Sequence, residues 1–168
     1  AGTRTALTRQ QTLRATIEWS HDLLGGEERV LFRRLAVFAV TFSLGAAEDV
    51  CSGGAIELRH VADLLARLVD KSLVVVDSGR YRLLDTIRQF AAERLADAGE
   101  LEAVGARLLD WAVALAAAHD PDTQAGAQGR SLELLELDHD NVRAAIDGGL
   151  RHDPQGALLL VSRFWRFW

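Results

Sequence analysis

Two short runs place side chains that could do chemistry next to one another. Asp138-His139-Asp140 combines residue types that bind divalent metals, and Ser20-His21-Asp22 holds the three residue types of a catalytic triad. The groups of a metal or catalytic site must converge in space, whereas consecutive residues of a helix point in different directions. We therefore interpret the first run as the solvated start of a helix capped by Asp140 or Asn141, and assign the second no catalytic role.

The chain has no glycine-rich phosphate loop ending in Lys-Ser or Lys-Thr, and Lys71 is its only lysine. We therefore expect this chain neither to hydrolyse nucleotides nor to act as an enzyme. The single cysteine, Cys51, cannot form an intrachain disulfide and lies in an apolar segment, which predicts a buried thiol.

Composition limits the classes of partner. The 168 residues carry 19 basic and 24 acidic side chains, a formal net charge of −5, and 49% of them are hydrophobic. Counted along the sequence, residues 1–99 hold 13 basic and 13 acidic side chains, which does not indicate a basic surface. The lack of a long apolar run and of an export signal predicts a cytoplasmic location without membrane contact. The absence of methionine suggests an excised segment of a longer protein.

Apolar periodicity predicts a mainly helical fold with one β-hairpin. The expected helices cover residues 13–24, 27–38, 43–51, 57–70, 85–99, 101–115 and 135–150, with a terminal helix after Pro154. β-branched and alternating residues predict hairpin strands at 73–76 and 80–83. This order is that of a winged helix in residues 1–99, followed in residues 100–168 by the start of an antiparallel helical-repeat arm that resembles tetratricopeptide repeats.

The helix at 57–70 occupies the recognition-helix position, and the hairpin is the wing. Arg59 and Arg67 on the helix, and Arg80 and Arg82 on the wing, could contact base edges or phosphates. Acidic neighbours on the same helix would repel those phosphates, so ion pairs on a solvated or protein-facing helix are favoured and direct DNA contact is not expected. A winged-helix transcription factor domain that binds DNA directly is the alternative.

Several framework segments together resemble one family. They resemble the region that follows the nucleotide-binding domain in bacterial STAND-type ATPases, which are related to NB-ARC switches and include LuxR-family and related transcriptional regulators. The segments are QTLRATIEWS (11–20), LFRRLAVF (31–38), LLARLVDKSL (64–73), YRLLDTIRQFA (81–91), LDHDNVRAAI (137–146) and FWRFW (164–168).

The resemblance implies a role in signal transduction. It implies a non-catalytic segment that docks on its own nucleotide-binding domain, carries the downstream helical repeats and couples nucleotide state to a protein or small-molecule signal. ATP or ADP would be the cofactor of the parent protein, with none in this segment.

The resemblance also places a nucleotide-sensor position. In related NB-ARC switches a Met-His-Asp motif follows the wing and its histidine touches bound ADP; the aligned residues here are Leu83, Leu84 and Asp85. Leucine has no hydrogen-bond donor, so Leu84 could only pack against a nucleotide. Asp85 is attributed mainly to capping of the following helix.

The end of the chain is rich in aromatic residues. Phe164, Trp165, Phe167 and Trp168 are expected to mediate self-association of the segment, or to pack against its own arm.

Overall fold

The computed structural model describes residues 2–118 and 128–164, with the side chains of 12–118 and 135–164. Within these ranges the chain is mostly helical and has one short antiparallel hairpin. The α-helices are α1 (Gly2–Asp22), α2 (Gly26–Arg34), α3 (Leu44–Cys51), α4 (Val61–Asp70), α5 (Asp85–Asp97), α6 (Leu101–Ala118), α7 (Gln128–His152) and α8 (Pro154–Phe164). The strands are β1 (Val75–Asp77) and β2 (Arg80–Arg82). The predicted mainly helical fold with a winged helix is confirmed.

The ends of the first two helices follow the prediction, but α1 begins at Gly2, well before the expected start at residue 13. α1 ends at Asp22, just before the glycine pair that was expected to break it. α2 carries Glu27 and Glu28 in its first turn, where their charges oppose the positive end of the helix dipole. Its α-helical hydrogen bonding stops at Arg34, and the 3₁₀ turn Leu35–Val37 completes the predicted range.

α3 and α4 form the helix-turn-helix. The hydroxyl of Ser43 accepts a backbone N–H of the first turn of α3 at 3.1 Å, which confirms the predicted cap. After α3 the chain turns through Gly53 and Gly54, whose φ angles of 93° and 63° lie in the left-handed region that favours glycine. The helix predicted over 57–70 is present, but its first part is the 3₁₀ turn Leu58–His60.

The hairpin starts two residues later than the alternation predicted. Leu73 and Val74 are buried and donate their backbone N–H groups to the carbonyl of Leu68, at 3.0 and 3.3 Å, so they close α4 instead of beginning β1. The strands are joined by Ser78 and Gly79, both with positive φ, which is typical of the tight turns that match strand twist.

A third extended segment pairs with the wing. Phe42 forms an antiparallel bridge with Tyr81, and the two backbone hydrogen bonds between them both measure 2.8 Å. The sequence analysis predicted no strand in this segment. It lies instead beside β2 and fixes the wing to the segment between α2 and α3.

The start of α5 differs from the prediction. Leu84 is the N-cap and makes no side-chain cap hydrogen bond, while Asp85 is the first helical residue and its side chain is 90% exposed. Asp85 therefore does not cap the helix; its charge lies in the first turn, favourable to the dipole. After α5 the chain turns at Gly99, with φ of 67°.

α6, α7 and α8 pack on one another as a three-helix unit. α7 begins at Gln128, before the expected start at residue 135 and before the cap expected at Asp140 or Asn141, so residues 138–141 lie inside the helix. The interpretation of this run as a capped helix start is therefore wrong. Phe164 at the end of α8 is buried. The predicted repeat character of the arm stays a prediction.

One continuous group of buried apolar side chains extends from Ile17 in α1 to Phe164 in α8. At its middle, the Phe38 and Phe42 rings stack with centroids 4.5 Å apart, and Trp111 of α6 meets Phe38 edge-on at 6.2 Å. The winged helix and the three-helix unit therefore share apolar packing. The division predicted at residue 99 stays a prediction.

Among the helices that the structure describes, none combines the length and the apolar character needed to cross a membrane.

Candidate nucleic-acid interface

α4 has one buried face and one exposed face. Val61, Leu64, Leu65 and Leu68 are buried against neighbouring helices, chiefly α2 and α3. The opposite face is exposed along its whole length and consists of Ala62, Asp63, Ala66, Arg67 and Asp70. Because the alanine side chains at its centre project little from the helix, another molecule could approach the helix backbone closely.

Two arginines belong to this exposed surface. Arg59, in the 3₁₀ turn before α4, is 73% exposed and pairs at 2.7 Å with Glu57, which is itself 61% exposed. Exposed pairs of this kind contribute little free energy, so Glu57 does not fix Arg59 in place. Arg67 is exposed and forms no ion pair within the described residues. Both guanidinium groups are therefore accessible to a ligand.

Lys71, at the end of α4, forms an ion pair within the protein. Its Nζ donates to Glu28 Oε2 at 2.6 Å, and Glu28 is 8% exposed. The hydrogen bond from Lys71 lowers the pKa of Glu28, helped by the Gly25 backbone N–H at 2.7 Å. Lys71 therefore ties the end of α4 to the start of α2.

The two arginines of the wing have different surroundings. Alternation places Arg80 and Arg82 on the same face of β2. Arg82 is exposed and forms no ion pair among the described residues. Arg80 is 14% exposed: its Nε donates to Thr41 Oγ1 at 2.9 Å, and its Nη2 donates to the Thr41 carbonyl at 3.0 Å and to Asp138. The sequence analysis gave both arginines the same candidate role, but only Arg82 is accessible here.

Asp138 and Asn141 meet Arg80 and Thr41 in a group that we call the wing–arm cluster. Asn141 is fully buried; its Oδ1 accepts the Ala39 N–H at 2.9 Å, and its Nδ2 donates to the Thr41 carbonyl at 2.8 Å and to Asp138 Oδ1 at 2.9 Å. Asp138 and Asn141 are three residues apart and share a helix face, a spacing that could have indicated a joint role. The sequence analysis missed it because it placed a helix start there.

A second polar cluster lies where the winged helix meets α6. Arg34, buried in α2, donates from Nη1 to the carbonyls of Cys51 and Gly53 at 2.9 and 2.8 Å, which holds the turn before α4. Arg33 and Arg34 each pair with Glu100 at 2.7 Å. Burial raises the pKa of Glu100, but the hydrogen bonds from the two arginines outweigh it and lower that pKa to about 2.

The remaining chemical candidates do not assemble into sites. His21 lies between the rings of Phe32 and Phe90, at 5.7 and 5.4 Å, and burial lowers its pKa. Cys51 is buried as predicted, and burial raises the pKa of its thiol to about 12. In the described part of the chain, no three His, Cys, Asp or Glu side chains are grouped as metal ligands.

The nucleotide-sensor candidates lie at the surface, with Leu84 41% and Asp85 90% exposed. Asp85 lies 3.9 Å from Arg88. Of the four aromatic interaction candidates, Phe164 is buried, and Trp165, Phe167 and Trp168 lie outside the described residues. The roles given to these residues stay predictions.

A family model described as a winged helix-turn-helix domain matches residues 24–96, from just before α2 to the last turn of α5. The chain is 47% identical over 148 residues to proteins of Mycobacterium bovis and Mycobacterium tuberculosis that are provisionally named HTH-type transcriptional regulators. This match covers 86% of the chain and 17% of each relative. An uncharacterized protein of Mycobacterium tuberculosis is 47% identical over 107 residues, which is 61% of this chain and 27% of that protein. No solved structure matches the chain at a significant level.

These findings overturn the expectation that the chain makes no direct DNA contact, because the matching domain and the names of the relatives both point to DNA binding. The expectation relied on equal numbers of acidic and basic residues in residues 1–99 and on the acidic neighbours along the helix at 57–70. Such a count does not separate charges at the surface from charges inside the protein. Glu28 and Asp138 are paired internally, whereas Arg67 and Arg82 are exposed without ion-pair partners among the described residues.

Proposed function

We propose that this chain contributes the DNA-binding winged helix of a transcriptional regulator, with α4 in the major groove and the wing beside it on the backbone. The proposal rests on the exposed face of α4 and the turn before it. There the accessible side chains of Arg59 and Arg67 accompany the small side chains of Ala62 and Ala66. The winged helix-turn-helix match over residues 24–96 and the names of the relatives support it.

The outer face of α4 suits a groove because its centre is small. Ala62 and Ala66 lie at the centre of the exposed face of the helix. Small side chains at these positions let a helix lie deep in the major groove, where alanine also packs well against the methyl group of thymine. Arg67 lies on the same face, and its guanidinium is suited to bidentate hydrogen bonds with guanine.

Arg59 and Arg82 suit phosphate contacts. Arg59 precedes the first turn of α4, and Arg82 lies on β2 of the wing; both side chains are exposed. In a winged helix docked through its second helix, these two positions flank the groove and approach the backbone on either side. They would fix the register of α4 without reading sequence.

Asp63 and Asp70 limit affinity for arbitrary DNA. Both are exposed on the same face as Arg67 and would repel nearby phosphates, although a carboxylate there can accept a hydrogen bond from cytosine. With about two phosphate-neutralising arginines, Arg59 and Arg82, the logarithm of the binding constant should fall with the logarithm of salt concentration with a slope of about −2. The domain is thus expected to depend on sequence-specific contacts more than on charge.

The test is selection of duplexes from a random library with the whole chain, followed by binding titrations. Arg67→Ala should weaken binding to the selected duplex by about 10-fold or more and relax the preference at one base position, because it removes a base-edge contact. Arg82→Ala should weaken binding to all duplexes and reduce the salt slope by about 1.

The matched control is Arg143→Ala, which removes an exposed arginine from α7, a helix that the proposal does not place on DNA. Its affinity and salt slope should equal those of the unchanged protein. Failure to enrich any duplex, or equal losses for Arg67→Ala and Arg143→Ala, would contradict the proposal.

We further propose, from the sequence resemblance alone, that the longer protein is a STAND-type ATPase in which this segment couples bound ATP or ADP to signal sensing. Leu84 and Asp85 would then lie near the nucleotide, and their exposure leaves them accessible. A phosphate-binding loop upstream in the same reading frame would support this proposal, and a reading frame without one would contradict it.

A further inference from the structure

The wing–arm cluster removes a wing arginine from the surface that the proposed DNA interface uses. Arg80 and Arg82 share one face of β2, but only Arg82 is exposed. The Nε and Nη2 groups of Arg80 are engaged by Thr41 and Asp138, and its side chain is 14% exposed. In this arrangement Arg80 cannot reach a phosphate.

Asp138 occupies the position that a phosphate would take on Arg80. A carboxylate and a phosphate offer a guanidinium the same kind of acceptor, a pair of anionic oxygens. Asp138 is 7% exposed and is oriented by a hydrogen bond from Asn141 Nδ2 at 2.9 Å. The acidic partner is therefore built into α7 and held in position for the wing.

The hydrogen bonds that α7 makes to the wing and to the segment before α3 join polar groups, which suits a reversible contact. α7 packs mainly against α6 and α8, and it reaches the wing and the segment before α3 through Asp138 and Asn141. If α7 moved away, water could satisfy these polar groups. Interfaces between units that separate during function are typically more polar than a permanent core.

We infer that α7 is an autoinhibitory element that weakens DNA binding by holding Arg80 of the wing in an ion pair with Asp138. This inference depends on the proposed DNA-binding function and adds its regulation. Displacement of α7 frees Arg80 for a phosphate, so that the wing contacts DNA through two arginines in place of one.

The experiment compares duplex binding by the whole chain, Asp138→Asn, Arg80→Ala and the double variant. Asp138→Asn should raise affinity about 3- to 10-fold and make the salt slope steeper by about 1, because one more phosphate is neutralised. In the Arg80→Ala background the same change should have no effect. This double-mutant cycle separates release of Arg80 from a general loss of negative charge.

Asp147→Asn is the matched control, since it removes one exposed carboxylate from the same helix. It should leave affinity unchanged. If Asp138→Asn fails to fold, as judged by circular dichroism, Asn141→Ser tests the same point, because it loosens α7 from Thr41 without changing charge. The gain in DNA affinity caused by Asn141→Ser should likewise disappear in the Arg80→Ala background.

Two kinds of failure are distinguishable. If the unchanged chain binds a duplex through Arg67, but Asp138→Asn brings no gain or the same gain with and without Arg80, the autoinhibitory contact is refuted and the DNA-binding function stands. If neither the unchanged chain nor any variant binds a duplex, the proposed function itself fails and this inference falls with it.

Discussion

Glu100 shows how a single residue connects the two halves of the chain. It lies just before α6, and its carboxylate accepts hydrogen bonds from Arg33 and Arg34 of α2, at 2.7 Å in each case. Arg34 in turn donates to the carbonyls at the end of α3 and in the turn before α4. The position of the proposed recognition helix therefore depends on a carboxylate some forty residues further along the chain.

The ion pairs of Glu100 with Arg33 and Arg34 make the stability of the fold depend on pH in a predictable direction. Hydrogen bonds from the arginines lower the pKa of Glu100 from an ordinary value of 4.5 to about 2 in the folded state, against the opposing effect of burial. The stabilisation is fully present above pH 4.5 and is lost as the pH falls from 4.5 to 2. Glu100→Gln should therefore reduce the free energy of unfolding at neutral pH by about 2 kcal/mol and flatten its dependence on pH in that window.

Thermal unfolding of the two proteins at neutral pH and near pH 3 measures this effect. A loss of about 2 kcal/mol corresponds to a Tm lower by about 4–8 °C for a chain of this size. Glu102→Gln is the control, because Glu102 is 77% exposed in the same turn region. Equal behaviour of the two variants would show that the pairing does not stabilise the fold.

At the scale of elements, the close packing of α6, α7 and α8 depends on glycine. A methyl group added at Gly149 of α7 would lie 3.0 Å from a methyl carbon of Leu109 and 3.2 Å from the Cβ of Ala157. Leu109 and Ala157 are both buried, and the Cβ of Ala157 is fixed to the α8 backbone and cannot turn away. The neighbouring Gly148 has no such limit, since an added Cβ there meets nothing within 4 Å.

We therefore expect alanine substitutions at the two glycines to change the stability of the protein in opposite directions. Gly149→Ala should destabilise the protein by about 1–2 kcal/mol, because overpacking between helices outweighs the better helix propensity of alanine. Gly148→Ala should stabilise it by up to about 1 kcal/mol through propensity alone. Urea denaturation of both variants measures the difference, and a stabilising Gly149→Ala would show that α8 packs less closely than described.

The elements also show what sequence patterns can and cannot predict. The helix at 61–70 was predicted because its apolar residues repeat at helical spacing and face one core. The start of α7 was missed because Asp140 and Asn141 look like capping residues of a helix start. Only the contacts of Asp138 with Arg80 and of Asn141 with Thr41 explain why polar groups lie buried inside this helix. Local sequence carries periodicity, but it does not carry contacts between residues 58 and 100 positions apart.

The same limit applies to the candidate site. Arg59, Arg67, Arg80 and Arg82 were identified from their positions, yet the sequence could not show that Arg80 is engaged by Asp138. It also could not separate internal from surface charge, and the DNA contact was wrongly excluded on a charge count and on the acidic neighbours of the recognition helix. Phe42 gave no signal as a strand because a single bridging residue has no periodicity.

For the whole molecule, the shared apolar packing predicts one unfolding transition. Trp111 of α6 packs against Phe38 of the winged helix, and Arg107 of α6 donates to the carbonyl of Val50 at 2.7 Å. Circular dichroism and tryptophan fluorescence should therefore give coincident urea transitions. Separate midpoints for the two signals would show that residues 1–99 and 100–168 unfold as independent units.

The burial of Cys51 makes its thiol a natural probe of how often the folded protein opens. It is the only cysteine of the chain, it lies at the end of α3 where α6 covers it, and burial raises its pKa to about 12. A thiol reagent added to the native protein can therefore react only with molecules in which the packing around Cys51 has opened. The labelling rate of the natural sequence, without any engineered probe, reports how often the core opens at the end of α3.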